Sequence, residues 1–154
     1  MIRQNQIRLA QAADADAIAE LSREAIEYGL AWGWTPGRVL GCIGDADTNV
    51  VIACDGAPMA GFGIMKYGER DAHLLLFAVQ AERRRRGVGT ALIGWLETTA
   101  RVAGMQTIRL EARVSNTSGR AFYARHGFEE GTLVRGRYQG VEDGVRYMKR
   151  LAGG

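Results

Sequence analysis

Residues Phe77 to Leu92 read FAVQAERRRRGVGTAL. The end of an apolar strand runs into a short basic loop, and two glycines then open a helix. Within it Arg84-Arg85-Arg86-Gly87-Val88-Gly89 fits the pattern Q/R-x-x-G-x-G/A. The first backbone N–H groups of a helix have no intrahelical partner, and the helix dipole adds partial positive charge there. Gly87 and Gly89 let the backbone turn and approach a ligand closely, and the arginines add charge, so the stretch has the makings of a diphosphate cradle. A basic run before a helix is equally what a solvated surface presents. A P-loop is excluded, because Thr90 follows Gly89 with no lysine. A dinucleotide fingerprint is excluded too, because its third glycine position is Leu92.

Length and composition set the outer bounds. A chain of 154 residues suits one domain spanning 1–154 and can bury a core without staples. With 47% hydrophobic and 24% charged residues it has the composition of a soluble globular protein. The formal charge of +3 is mild and concentrated at Arg83 to Arg86. Such a cluster suits a small polyanion better than a nucleic-acid groove, which would want a longer basic stripe with interleaved aromatics. There is no membrane-span-length apolar run and no signal-peptide pattern. Cys42 and Cys54 are too few and unpatterned for a disulfide framework or a zinc site, so the expectation is no metal and a reduced, cytoplasmic setting.

Outward from the central stretch, periodicity divides the rest. Ile2 to Ala10 reads as a first strand. Asp14 is placed to cap a helix carrying Ile18, Leu21, Ala25 and Tyr28. YGLAWGWTP, residues 28–36, breaks that pattern, and a short helix follows Pro36 to about Gly44. Asn49 to Cys54 and Met59 to Tyr67 read as a hairpin about Asp55-Gly56. Ala72 to Val79 is nearly all apolar, as a strand buried on both faces would be. Beyond the loop, Val88, Ala91, Leu92, Trp95, Leu96, Thr99 and Val102 keep one helical face, and Gly104 stops it. Ile108 to Val114 alternates as a strand, with Arg109, Glu111 and Arg113 on its polar face. Ser115 to Ser118 can cap a short helix closed by Gly127, and two strands about Asp143-Gly144 finish the chain. The order β-α-α-β-β-β-α-β-α-β-β implies an α/β (α+β) fold.

Two motifs in order carry a family resemblance along essentially the whole chain. The loop Arg84 to Gly89 and the segment LEARVSNTSGRAFYARHGF, Leu110 to Phe128, together resemble the GNAT superfamily of N-acetyltransferases. The second segment is most similar to the bacterial ribosomal-protein alanine N-acetyltransferase type. The resemblance implies a mixed, mostly antiparallel sheet of six or seven strands flanked by about four helices. It implies acetyl-CoA as cosubstrate. Phe77, Ala78 and Val79 would pair through their backbone with the pantetheine arm, and Val79 N–H could hydrogen-bond the thioester carbonyl. Arg84, Arg85, Arg86, Gly87, Val88, Gly89 and Thr90 would hold the pyrophosphate, and Asn116 would contact the cofactor arm. Tyr123 matches the tyrosine that protonates the departing CoA thiolate.

Acyl transfer to an amine needs a neutral amine, a polarised carbonyl and a proton for the leaving sulfur. A phenol is a reasonable donor to a thiolate. Two residues compete as base. Glu111 matches the glutamate given that role in the ribosomal-protein subgroup, although Arg109 and Arg113 on its face would make it a weaker base; the alternative is a cross-strand ion-pair member. His73, four residues before Phe77, has an imidazole suited to taking a proton directly or through water, unless it is structural. His126 reads as a cap for its helix's C-terminus. The helix-loop region 28–39 does not reproduce the subgroup's signature, so Trp32, Trp34, Arg137 and Tyr138 are candidates on the acceptor side only.

The leading expectation is an acetyl-CoA-dependent N-acetyltransferase acting on a primary amine, of a peptide N-terminus or a small molecule, by direct transfer in a ternary complex. The alternative is a CoA-binding regulatory module without catalysis, against which an intact Tyr123 argues. Nucleic acid and membrane are not expected partners, and homodimerisation is left open.

Overall fold

The computed structural model describes residues 6–54, 59–83 and 87–151. The elements in order are β1 (Ile7–Leu9), α1 (Ala15–Ala25), α2 (Pro36–Ile43), β2 (Thr48–Cys54), β3 (Met59–Tyr67), β4 (Asp71–Val79), α3 (Val88–Val102), β5 (Thr107–Arg113), α4 (Thr117–Arg125), β6 (Glu129–Tyr138) and β7 (Glu142–Arg150). This is the order expected from periodicity. The seven strands form one sheet in the order β1-β2-β3-β4-β5-β7-β6. Among the described residues only the β4–β5 pair is parallel. The expected turn at Asp55-Gly56 lies outside the described residues. No helix among the described residues is long and apolar enough to cross a membrane.

Two apolar layers hold the sheet. On one face α3 buries Val88, Leu92, Ile93, Leu96 and Ala100, with Leu74, Ile108 and Leu110 beneath them. On the other, Ile18 and Leu21 of α1 and Val39 of α2 pack on Ile52, Phe62 and Leu76. Val102 does not join the α3 face and is 84% exposed. At about 100° per residue, six residues past Leu96 carry the helix surface well away from the sheet.

Strand β4 departs from the expectation of burial on both faces. Ala72, Leu74, Leu76 and Ala78 are buried, whereas His73, Leu75, Phe77 and Val79 are only partly so. The register with β3 passes from Ile64↔Leu76 to Met65↔Leu74, leaving Leu75 as the extra residue of a β-bulge. The bulge exchanges the faces: Ala72 and Leu74 belong to the core beneath α3, Leu76 and Ala78 to the core beneath α1 and α2.

Two further expectations change at the ends of elements. Asp14 precedes α1 but makes no side-chain cap to it. Its carboxylate accepts from Gln11 N–H at 2.7 Å and pairs with Arg8 at 2.9 Å. The final hairpin reverses at Gln139 and Gly140, with φ of 57° and 73°, rather than at Asp143-Gly144. Asp143 lies within β7, where its carboxylate accepts from Gly136 N–H at 2.8 Å.

Candidate active site

A gap in the sheet forms the site. Strands β4 and β5 are in register only from Asp71↔Thr107 to Leu74↔Leu110, while β5 goes on pairing with β7 as far as Arg113↔Gly144. Beyond Leu74 the two parallel strands part. Gln80 N–H donates to Ala60 O across β3. Backbone groups alternate between the two edges of a strand, so Phe77 and Val79 present their N–H and C=O to the gap.

The larger of two cavities at the gap measures about 440 Å³ and is lined by Phe77, Ala78, Val79, Gly87, Gly89, Thr90, Asn116, Tyr123 and His126 among others. Gly87 is the N-cap of α3, with φ of 79°, a backbone that side chains other than glycine's strain. The unpartnered N–H groups of the first turn of α3 start here, and they suit an anion. A Cβ on Gly89 would come within 3.0 Å of the Phe122 ring, so α3 and α4 meet closely at this position. Asn116 caps α4 by accepting from Gly119 N–H at 3.1 Å. The Val88 side chain is buried in the core beneath α3, as its place on the inward helical face predicts. Arg84, Arg85 and Arg86 lie outside the described residues.

The smaller cavity, about 260 Å³, is lined by His73, Glu111, Trp34, Arg137 and Tyr138. Glu111 accepts from Arg137 at 2.8 Å and faces its cross-strand partner Arg146 at 3.6 Å. Glu111 is thus a cross-strand ion-pair member, as its alternative reading had it, with partners on β7 and β6. Burial, then the nearby Arg109 and Arg137, holds the His73 imidazole below the usual histidine value, with Glu111 opposing them. Tyr138 is pushed up to about 12, chiefly by burial and then by Glu111, so it remains a phenol at neutral pH. Trp32 lines neither cavity. Its indole N–H donates to Ala19 O at 3.3 Å and its ring packs on the core beneath α1 and α2.

The two cavities share Ala25, Ile26, Phe77, Asn116 and Tyr123. Tyr123 is only 7% exposed, with Phe77, Phe122, Phe128 and Tyr147 around its ring. Burial pushes its phenol well above the ordinary tyrosine value. No described residue hydrogen-bonds its hydroxyl, yet among the described residues no buried side-chain polar atom lacks a partner. The hydroxyl must therefore be open to the cavities that Tyr123 lines.

Three residues that pattern reading missed shape the smaller cavity. Glu27 is buried, its Oε1 accepting from Gly33 N–H at 2.7 Å and Trp34 N–H at 3.0 Å, its Oε2 from the Ser22 hydroxyl at 2.8 Å. Arg113, also buried, donates to Ile26 O, Tyr28 O and Glu142, and its guanidinium lies over the Tyr28 ring. Gln139 bonds both Ala31 N–H and Ala31 O at 2.9 Å, tying the final hairpin to the α1–α2 loop. For Glu27 and Arg113 the only sequence signal was a charge next to a loop. For Gln139 there was none.

The sequence pattern of the acetyltransferase (GNAT) family matches residues 8–128. An uncharacterised N-acetyltransferase of Methanocaldococcus jannaschii is 31% identical over 94% of this chain and 90% of its own length. The ribosomal protein bS18-alanine N-acetyltransferase of Salmonella typhimurium is 31% identical over 92% of this chain and 94% of its own. The crystal structure of the ribosomal-protein-S18-alanine N-acetyltransferase of Escherichia coli superposes with a TM-score of 0.81 at 25% identity, covering 96% of this chain and 94% of that one. With a sheet opened between β4 and β5 and cavities meeting at a buried tyrosine, the chain belongs to the GNAT family of acetyltransferases.

Proposed function

We propose that the chain transfers an acetyl group from acetyl-CoA directly to the N-terminal amine of a polypeptide, with both substrates bound at once. The observation that carries this reading is the meeting of the two cavities at Phe77, Asn116 and Tyr123. The larger cavity fits acetyl-CoA: the free end of α3 suits its diphosphate, and the exposed edge of Phe77 and Val79 can pair with its amide-bearing arm as a neighbouring strand would. Bound there, acetyl-CoA supplies an electrophilic thioester carbonyl. The polypeptide acceptor is supported by the 31% identity, over nearly full length, to a relative described as an alanine N-acetyltransferase.

The chain's own groups then divide the work. Val79 N–H, directed into the gap, can stabilise the charge that develops on the carbonyl oxygen. As the amine nitrogen bonds to the carbonyl carbon and the C–S bond breaks, the Tyr123 hydroxyl gives its proton to the sulfur. The burial that raises the phenol also makes a thiolate beside it more basic, which keeps the two matched. The proton leaving the amine goes to a base in the smaller cavity. Of the two candidates His73 is the freer, with no hydrogen-bond partner for its ring among the described residues, and burial keeps it neutral. Glu111 has Arg137 on one oxygen.

A cytoplasmic setting and a single domain over 1–154 belong to the same proposal. The test is thiol release from acetyl-CoA with N-terminal peptides and small amines side by side. Turnover with peptides at lower KM supports the reading, and turnover with small amines alone refutes the polypeptide acceptor.

A further inference from the structure

We infer that the acceptor polypeptide carries acidic residues shortly after its N-terminus, read by a face of the sheet, rich in arginine, that runs outward from the smaller cavity. This deepens the proposed function and rests on its polypeptide acceptor.

Cross-strand partners project on the same side of a sheet, as do residues two apart on one strand. His73 lines the smaller cavity, and its partner on β5 is Arg109. Arg109 in turn faces Met148 on β7, which is 41% exposed. Two residues along β5 from Arg109 is Glu111, opposite Arg146, whose side chain is 62% exposed. Arg137 from β6 reaches the same carboxylate. Across the cavity Arg38 lies over the Trp34 ring, 3.7 Å from its centre.

Charge on this face is out of balance. Cross-strand pairing also places the carboxylates of Asp71, opposite Thr107, and Glu129, opposite Met148, on this side, together with Lys66, opposite His73, and Arg150, opposite Thr107. Cations still outnumber these carboxylates: Arg38 and Arg109 have no ion-pair partner among the described residues, and Arg137 and Arg146 both pair with Glu111. The other carboxylate lining the cavity, Glu27, is buried behind the loop with both oxygens held. Arg113 is neutralised by Glu142. Burial chiefly lowers the His73 imidazole, and Arg109 and Arg137 on this face lower it further against the opposing Glu111.

Exposed arginines usually mean no more than a solvated face. These continue from the cavity into which the amine must go. An extended acceptor advances about 3.4 Å per residue, so with its first residue in the cavity roughly its third to fifth residues reach this face. Carboxylates there would meet a surplus of guanidinium groups, which favours encounter and binding rather than the chemical step.

The test uses the full chain, acetyl-CoA and peptides that share their first two residues, with Asp and Glu, Gln, or Lys at positions three to five. The readout is the ratio of kcat/KM between acidic and basic peptides, which is independent of any change in overall rate. At low salt a preference of about tenfold for the acidic peptide is expected, mostly in KM and shrinking to about twofold in 0.5 M salt. Arg109→Glu should abolish or reverse the preference, and Arg109→Gln should reduce it. A ratio near one in the unmodified chain, or a preference unaltered by Arg109→Glu, overturns the inference. Turnover of small amines but of no peptide overturns it together with the polypeptide acceptor, while leaving acetyl transfer standing. Failure to bind acetyl-CoA would instead refute the proposed function itself.

Discussion

The Thr90 hydroxyl and the His126 Nε2 atom lie 3.1 Å apart, joining the first turn of α3 to the end of α4 along the larger cavity. The other ring nitrogen, Nδ1, is 2.9 Å from Phe122 O, which can only accept, so the partners assign the proton to Nδ1. In that tautomer Nε2 accepts and Thr90 donates. Lys149 fixes the same corner by donating to His126 O at 2.7 Å and to Glu97 at 2.6 Å. His126 thus closes α4, as its position beside Gly127 suggested, and also braces the free end of α3.

His126→Ala removes this brace without touching the N–H groups of α3. A hydrogen bond of this kind contributes about 0.5–1.5 kcal/mol, so acetyl-CoA is expected to bind roughly two- to tenfold more weakly. Titration calorimetry on the variant measures this, and unchanged affinity would show that the contact does not position the helix end.

Tyr123→Phe should leave folding intact, because the hydroxyl has no hydrogen bond to a described residue and its aromatic neighbours are unaltered. Turnover should fall about 100-fold or more, the usual cost of losing a general acid, while affinity for acetyl-CoA changes less than about twofold. A melting temperature that drops with the activity would assign Tyr123 to packing rather than proton transfer.

The sign of the pH dependence follows from the direction of the His73 shift. Burial and neighbouring arginines lower its pKa, so the neutral imidazole required of a base prevails above a value below 6.5. The His73-dependent part of kcat/KM should rise with pH through that region and then level off. His73→Ala should remove this acidic limb and Glu111→Gln should leave it in place. If only Glu111→Gln removes it, the base is Glu111.

Much of the fold was legible because apolar periodicity and capping chemistry act locally. Thr35 and Pro36 begin α2 as such residues should, with Thr35 accepting from Arg38 N–H at 3.4 Å. Leu75, one apolar residue among many, could not announce the bulge that turns Phe77 toward the site, because the bulge is a matter of register between two strands. Glu111 and Arg113 alternate identically along β5, yet one takes partners from β6 and β7 and the other reaches the α1–α2 loop. Those contacts join residues about 25 to 90 positions apart, beyond any local pattern. The same holds for the indoles: Trp34 lines the smaller cavity and Trp32 covers the core, two residues apart on one loop.

Glu27 provides a stability test of that loop. Glu27→Ala leaves Gly33 N–H, Trp34 N–H and the Ser22 hydroxyl without their acceptor. Losing such a charged acceptor costs about 1.5–3 kcal/mol. At roughly 2–4 °C per kcal/mol for a domain of this size, thermal denaturation should show a fall of about 3–12 °C. KM for peptides should rise more than KM for acetyl-CoA, since the loop borders the smaller cavity. Equal effects on both would place the role of Glu27 in global stability alone.

The most direct measurement is equilibrium dialysis of the purified chain against acetyl-CoA. The site described between α3, α4 and the open edge of β4 should bind it saturably, one per chain, with Kd in the region of about 1 μM. No saturable binding up to roughly a thousandfold higher concentration would contradict the assignment of the larger cavity and the transfer chemistry built on it.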